Sequence, residues 1–178
     1  MARNMIEHVS VAIPRLVTPR LVLRAFRRED FPTYAANSAD PEAMAFIGGA
    51  VDQRQAWRMF VVGIGGWMLD NGGWLALTLP EEDRMIGTVG AFRRENAPDV
   101  VEIGWSVFKD HWRKGYAREA AQAMVDFAFD EWKEKRLIAY VDAANAGSVG
   151  VAKGVGMTRE GEAEFYGQPI DLYAITRG

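Results

Sequence analysis

The 178-residue sequence contains no cysteine and only two histidines, His8 and His111. The absence of cysteine excludes disulfides, thiolate nucleophiles and cysteine-ligated metal ions. Two histidines are too few for a histidine-rich metal site, and no H-E-x-x-H motif is present. We therefore predict neither thiol chemistry nor a metal centre.

Excess charge and long apolar runs are also lacking. The formal net charge is −3, and non-specific binding to nucleic acid needs a basic surface instead. The longest apolar run, "MFVVGIGGWML" at 59–69, is too short to cross a bilayer, which takes about 20 residues. The N-terminus has no apolar stretch of the kind found in signal peptides. These features predict a cytoplasmic protein that binds neither nucleic acid nor membrane.

The composition itself is ordinary for a soluble globular protein, with 49% hydrophobic and 25% charged residues. A chain of this length is large enough to bury one proper core. No linker, repeat or low-complexity segment interrupts it. We expect a single domain over residues 1–178.

The first third of the chain predicts one strand followed by helices. The segment "RLVLRAF" (20–26) alternates as a β-strand does. Asp30 caps a first helix, Asp40 caps a second over "DPEAMAFIGG" (40–49), and a longer helix follows from residue 52. We expect the long helix to pack through one apolar face, made of Trp57, Phe60, Val61, Ile64 and Met68.

The rest of the chain predicts a mixed sheet. Three strands, "WLALTLP", "RMIGTVGAF" and "VEIGWSVF", are separated by polar turns and form an antiparallel meander. A helix after Gly115 and a strand over 136–143 then make a strand–helix–strand crossover, which implies one parallel pair. A short helix and a final hairpin with its turn near "GQP" close the chain. The fold class is therefore α+β.

The segment "HWRKGYAREAAQAM" (111–124) carries the strongest chemical signal. A loop that leads from a strand into a helix exposes unpaired backbone N–H groups at the positive end of the helix dipole, which suits phosphate. Gly115 and Ala117 allow close approach of a ligand, and Arg113 and Lys114 add positive charge. An ordinary helix start with solvated cations fits the same spacing.

Four segments in order resemble the GNAT N-acetyltransferase superfamily. They are "TPRLVLRAFRREDF", "VEIGWSVFKDHWRKGYAREAAQAMVDFAF", "NAGSVGVAKGVGM" and "DLYAITR". Within the superfamily they are most similar to the ribosomal-protein-alanine N-acetyltransferase branch. The resemblance covers most of the chain. It implies a mixed, mostly antiparallel sheet with a splayed central parallel pair and helices on both faces.

The resemblance also implies acetyl-CoA as cosubstrate. The family pattern of Gln or Arg, two residues, Gly, one residue and then Gly or Ala falls on residues 112–117, where Trp112 departs from it. Backbone groups from Trp105 to Val107 are expected to hold the pantetheine arm, with an N–H near Val107 facing the thioester oxygen. The implied cofactor-binding residues are Trp105, Val107, Trp112, Arg113, Lys114, Gly115, Tyr116, Ala117, Asn145 and Ser148.

Three residues are implied in catalysis. Ser148 resembles the serine that protonates the leaving thiolate, although it is also a candidate N-cap for the helix that follows. Glu102 and Glu164 are alternative general bases, and the resemblance favours Glu164. Either glutamate could instead be an ordinary solvated strand residue, and His111 fits a solvated loop histidine.

The expected activity is transfer of an acetyl group from acetyl-CoA directly to a primary amine, on a protein N-terminus or a small molecule. A CoA-binding sensor or interaction module without catalysis is the main alternative, and a transferase of larger acyl groups is another. Glycines 63–66 keep that last alternative open. The acceptor pocket is expected among early helices, with aromatic candidates Phe46, Trp67, Trp105 and Tyr166. A homodimer is compatible with this family.

Overall fold

The computed structural model describes residues 10–69, 72–95, 97–165 and 167–178. Its four α-helices are α1 (Phe31–Ser38), α2 (Gln53–Met68), α3 (Tyr116–Asp130) and α4 (Ala146–Gly154). Its strands are β1 (Leu16–Val17), β2 (Val22–Arg24), β3 (Gly72–Thr78), β4 (Met85–Arg94), β5 (Ala97–Val107), β6 (Arg136–Val141), β7 (Thr158–Phe165) and β8 (Gln168–Thr176). No helix in these ranges combines the length and the apolarity needed to cross a bilayer.

The strands form one eight-stranded sheet in the order β1-β2-β3-β4-β5-β6-β8-β7. All neighbours are antiparallel except β5 and β6, which pair in parallel at Val101 with Leu137 and at Glu102 with Ile138. Beyond those two pairs, β5 continues to Val107 and β6 to Val141 without pairing to each other. The predicted mixed sheet with one parallel pair is confirmed, and the pair splays apart at the end where both strands lead into helices.

Helices cover both faces of the sheet, as predicted. Leu75 belongs to the main core beneath α3, together with Met124 and Ile103. Ala76, the next residue of β3, packs on the opposite side near Tyr34 of α1. Because successive strand residues point to opposite faces, α1 and α3 lie on different sides. We call these sides the α1 face and the α3 face.

The buried face of α2 differs from the predicted one. Trp57, Val61 and Met68 are exposed, and the buried residues are Ala56, Phe60, Gly63 and Trp67. The glycines decide this outcome, since a Cβ at Gly66 would lie 2.2 Å from the carbonyl oxygen of Gly72. The helix turns its smallest side chains towards β3 and approaches the strand closely. Gly63 and Gly66 therefore serve packing, whereas a Cβ at Gly65 would meet nothing within 4 Å.

The predicted helix over 40–49 is wrong. Residues 41–48 form successive turns, in which the N–H groups of Met44 and Ile47 bond to the carbonyls of Asp40 and Met44. The Asp40 carboxylate caps this segment as predicted, accepting from the N–H groups of Glu42 and Ala43 at 2.8 and 3.0 Å. Gly48, which has a positive φ, ends these turns.

Candidate functional site

A cleft of about 520 Å³ opens where β5 diverges from β6. Its walls come from the end of β5, the loop before α3, the first turns of α3 and α4, and the 42–47 turn segment. The cleft brings together nine of the ten residues expected to bind the cofactor. They are Trp105, Val107, Trp112, Arg113, Gly115, Tyr116, Ala117, Asn145 and Ser148.

The loop before α3 presents a row of free backbone donors. In the described part of the chain, the N–H groups of residues 113–118 have no protein acceptor, and the first bond of this turn is from Glu119 N–H to Gly115 O at 3.1 Å. Gly115 is the N-cap, with φ at +80°, and Arg113 also has a positive φ of +58°. This left-handed geometry is costly for a non-glycine residue, and it curls the N–H groups towards one point, as in anion-binding nests.

Cations surround this row of donors. Arg113 and Arg118 line the cleft and are exposed. Lys114, the one predicted cofactor residue outside the lining, donates through Nζ to the carbonyl of Asp110 at 3.0 Å. Its side chain therefore braces the loop.

The free edge of β5 offers backbone groups to the cleft. The N–H of Phe108 bonds to Ile86 of β4 at 2.8 Å, so the polar groups of the residues on either side of it point away from β4. The carbonyl of Val107 accordingly accepts from Trp112 Nε1 at 2.6 Å. The N–H of Val107 points to the same side as its carbonyl, as do the groups of Trp105 two residues earlier.

Asn145 and Ser148 occupy the start of α4. Asn145, and not Ser148, is the N-cap, since its Oδ1 accepts from the N–H of Ser148 at 3.0 Å. The interpretation of Ser148 as a cap is therefore wrong. Its half-buried hydroxyl lines the cleft and has no partner among the described residues, so it can bond to a ligand.

Neither predicted base lines the cleft. Glu102 is 7% exposed, and both of its oxygens accept from the guanidinium of Arg94, with Nη2 to Oε1 at 2.8 Å. Glu164 is exposed on β7, opposite Pro169. Strand alternation places Glu102, between the core residues Val101 and Ile103, on the α1 face.

The register places Glu164 on the other side of the sheet. Core residue Val141 pairs with Asp171, which pairs with Glu162. Glu164 is two residues beyond Glu162, and it therefore lies on the α3 face. The two candidate bases are separated by the sheet.

The structure places His111 in the cleft, whereas its position in the sequence fits a solvated loop histidine. His111 lines the cleft, and its Nδ1 is buried without a hydrogen-bond partner in the described residues. Burial, with help from the positive charge of Lys114 and Arg84, holds the pKa of His111 below its usual 6.5. Because a histidine in a polar loop is usually solvated, the sequence did not indicate that His111 lines a cleft. Among the described residues, no group of acidic or histidine side chains is arranged to hold a metal ion.

The 42–47 segment forms the outer wall of the cleft. Phe46 lines it, as does Trp105, so two of the predicted acceptor aromatics meet there. Trp67 does not, because its indole donates to the Trp74 carbonyl at 3.1 Å within the core. Tyr166 lies outside the described residues. Lys109 ties the segment to the end of β5 through ion pairs with Asp40 and Glu42.

Comparison with known proteins identifies similar chains. The model of the acetyltransferase (GNAT) domain matches residues 20–158. An uncharacterized N-acetyltransferase of Bacillus subtilis, YnaD, is 33% identical over 146 residues, which cover 82% of this chain and 84% of that protein. The solved structure of an acetyltransferase from Agrobacterium tumefaciens superposes with a TM-score of 0.84 at 30% identity, over 97% of this chain and 100% of that one.

The fold extends to more distant proteins. The ribosomal L7/L12 alpha-N-protein acetyltransferase RimL, solved in complex with coenzyme A, has a TM-score of 0.76 at 17% identity. The superposition covers 90% of this chain and 96% of that one. At this identity the comparison shows a shared fold alone.

Proposed function

The chain belongs to the GNAT acetyltransferase family, and from this premise we propose that it transfers an acetyl group from acetyl-CoA directly to a primary amine. One observation carries the proposal. The unpaired N–H groups of residues 113–118 and the free edge of β5 line the same cleft. Phosphates fit the first of these surfaces, and an extended amide-bearing arm fits the second.

In this proposal the loop before α3 holds the pyrophosphate of acetyl-CoA. The N–H groups of residues 113–118 donate to phosphate oxygens, and Arg113 adds a charged fork. The pantetheine arm lies along β5, hydrogen-bonded to Trp105 and Val107 as an added strand would be. Asn145 faces the arm from the other side of the cleft.

The N–H of Val107 is assigned to the thioester oxygen. When the amine nitrogen attacks the thioester carbon, negative charge grows on that oxygen, and a fixed donor stabilises it. The carbon–sulfur bond then breaks, the acetyl group stays on nitrogen as an amide, and the sulfur leaves as a thiolate. The hydroxyl of Ser148, a residue that lines the cleft, is assigned to give its proton to that sulfur and to regain a proton from solvent.

The amine must lose a proton before or during the attack. Glu164 and Glu102 are the candidate bases, and family resemblance favours Glu164. Since neither side chain lines the cleft, the proton would reach either carboxylate through water, which general-base catalysis allows. Because the two glutamates lie on opposite faces of the sheet, a chain of water molecules that starts at the amine can reach one of them and not the other.

The acceptor is proposed from the resemblance to enzymes of protein N-termini. A relative of the same fold carries the name of an alpha-N-protein acetyltransferase, and the exposed Phe46 and Ile47 at the cleft wall suit an apolar side chain next to an amine. Peptides that begin with alanine or serine are therefore the first acceptors to try, followed by small primary amines.

The test has two stages. Calorimetric titration with acetyl-CoA, and with CoA in parallel, measures binding of the donor, for which we expect a micromolar dissociation constant. Release of free CoA thiol is then followed with and without each amine. Amine-dependent release establishes transfer. If acetyl-CoA binds but no amine causes release of CoA thiol, the result favours the sensor module. If acetyl-CoA does not bind, the assignment of the loop before α3 to the pyrophosphate is overturned.

A further inference from the structure

We propose that Arg20, Glu119 and Thr18 form a clamp that sets the geometry of the acetyl-CoA loop, so that all three are positioning residues for cofactor binding. This inference rests on the proposed function, since it concerns the same site. None of the three side chains lines the cleft. Thr18 and Arg20 belong to a segment about a hundred positions before the loop in sequence, and Glu119 belongs to the first turn of α3 directly after it.

The contacts of the clamp converge on Glu119, in the first turn of α3. Its Oε1 accepts from the Thr18 hydroxyl at 2.6 Å and from the Arg20 N–H at 2.9 Å. Its Oε2 accepts from Arg20 Nε at 2.6 Å. The Glu119 side chain is 15% exposed, against 50% for Arg20. These bonds, with the coulombic attraction of Arg20, hold the pKa of Glu119 below its ordinary value although burial opposes the shift.

The guanidinium of Arg20 also reaches the loop itself. Its Nη1 donates to the carbonyl of Lys114 at 2.8 Å. Its Cζ lies over the ring of Tyr116, 5.1 Å from the ring centroid. In a trans peptide the carbonyl of one residue and the N–H of the next point in opposite directions. By holding the Lys114 carbonyl, Arg20 turns the N–H of Gly115 to the opposite side of the loop.

The loop needs such a restraint because its backbone is strained. Arg113 has a left-handed conformation with φ at +58°, and Gly115 also has a positive φ of +80°. Left-handed residues persist where the surroundings impose them. The 18–21 turn can impose this geometry because it is itself fixed, with Thr18 N–H bonded to the Leu21 carbonyl at 2.9 Å. The clamp thus joins a rigid turn to a strained one.

A purely electrostatic role and a positioning role predict opposite effects of replacing Glu119 on acetyl-CoA affinity. If these residues act on phosphates only through their charge, loss of the negative Glu119 should tighten acetyl-CoA binding, and loss of Arg20 should weaken it. If they act as a clamp, Arg20→Met and Glu119→Gln should both weaken binding. The expected loss is about tenfold for each, with little further loss in the double variant because both belong to one unit.

The Arg20→Lys variant distinguishes the effect of the positive charge at position 20 from the effect of the planar guanidinium. Lysine keeps the charge but cannot bond at once to Glu119 and to the Lys114 carbonyl through a planar fork. We expect it to bind acetyl-CoA nearly as weakly as Arg20→Met. The matched control is the exposed pair of Arg136 and Glu160, joined by Nη1 to Oε1 at 2.8 Å on the β6–β7 side of the sheet. Arg136→Met and Glu160→Gln should bind as the wild type does.

The experiment is calorimetric titration of each full-length variant with acetyl-CoA, with ¹⁵N relaxation of the Lys114 and Gly115 amides measured without ligand. Weaker binding by both single variants, with greater amide mobility, supports the clamp. Unchanged or tighter binding by Glu119→Gln, or full affinity in Arg20→Lys, overturns it. If the wild type itself does not bind acetyl-CoA, the proposed function fails. The relaxation data then decide alone, and unchanged amide mobility in both variants overturns the clamp.

Discussion

The indole N–H of Trp112 donates to the carbonyl oxygen of Val107 at 2.6 Å, and this bond joins the loop before α3 to the end of β5. Trp112 stands where the family pattern has glutamine or arginine, so the tryptophan supplies a donor at a position that otherwise carries a polar side chain. The bond fixes the two surfaces of the cleft relative to each other.

Trp112→Phe removes that bond and keeps an aromatic ring. We expect acetyl-CoA affinity to fall about fivefold, which corresponds to one hydrogen bond. Calorimetric titration measures the effect. Trp57→Phe is the control, because Trp57 is equally exposed at 38% and lies on α2 away from the cleft. Equal affinity in both variants would show that the bond does not organise the cofactor site.

Gly115→Asp should weaken acetyl-CoA binding by more than about a hundredfold and leave the protein folded. The substitution brings a side chain into a left-handed position, where a Cβ would lie 3.2 Å from Arg20 Nη2, and puts a negative charge where phosphates are proposed to bind. Gly167→Asp is the control, since Gly167 has a similar φ of +76° and open space around it. The two variants should have similar melting temperatures and very different affinities. Retained affinity in a folded Gly115→Asp protein would contradict the phosphate assignment.

Glu102→Gln and Glu164→Gln should differ in stability. Glu102 is buried in a two-pronged pair with Arg94, and loss of its charge should lower the free energy of unfolding by about 1–3 kcal/mol. Glu164 is exposed, and its replacement should change that energy by less than about 0.5 kcal/mol. Urea unfolding gives both values. Equal stability of the two variants would mean that the Arg94 pair contributes nothing to the fold.

The same two variants identify the base. The variant that lacks the base should lose about a hundredfold or more in kcat at neutral pH and keep its acetyl-CoA affinity, and on the present proposal this is Glu164→Gln. Steady-state rates with a saturating amine, over a range of pH, provide the measurement. If Glu102→Gln alone loses rate, the water path runs on the α1 face instead. If neither does, neither glutamate is the base.

His111 should make the protein less stable in mild acid. Burial lowers its pKa in the folded state below 6.5, so between those two pKa values the unfolded chain binds more protons than the native one. The contribution of His111 to the free energy of unfolding is therefore complete above about pH 6.5 and declines as the pH falls. His111→Asn removes this titration and leaves that of the carboxylates.

Lowering the pH from about 7.5 to about 5 should reduce the melting temperature of the wild type by more than that of His111→Asn. For each protein the change in melting temperature is measured from its own value at the higher pH, so a stability difference that does not depend on pH cancels. Parallel curves over this range would show that the imidazole titrates as it does in the unfolded chain.

Local sequence determined much of this protein. The alternation of apolar and polar residues predicted β3, β4 and β5. The strand–helix–strand order around Gly115 predicted the parallel pair. Both patterns could be recognised in the sequence because each of these elements is defined by residues that are close together in the chain. The loop at residues 112–117 was found for the same reason: its glycine, its small alanine and its cations are contiguous. Nine of the ten predicted cofactor residues consequently line one cleft.

Tertiary packing decided the rest. The buried face of α2 was missed because apolar periodicity favours Trp57 and Val61, whereas close approach of Gly66 to Gly72 selects the glycine face. The opposite placement of Glu102 and Glu164 follows from strand register across four strands, and the bond of Arg20 to Glu119 joins segments that no periodic pattern connects. Sequence patterns set which elements form, since their hydrogen bonds are local. The side chains that meet between elements depend on how those elements pack, which is a property of the whole chain.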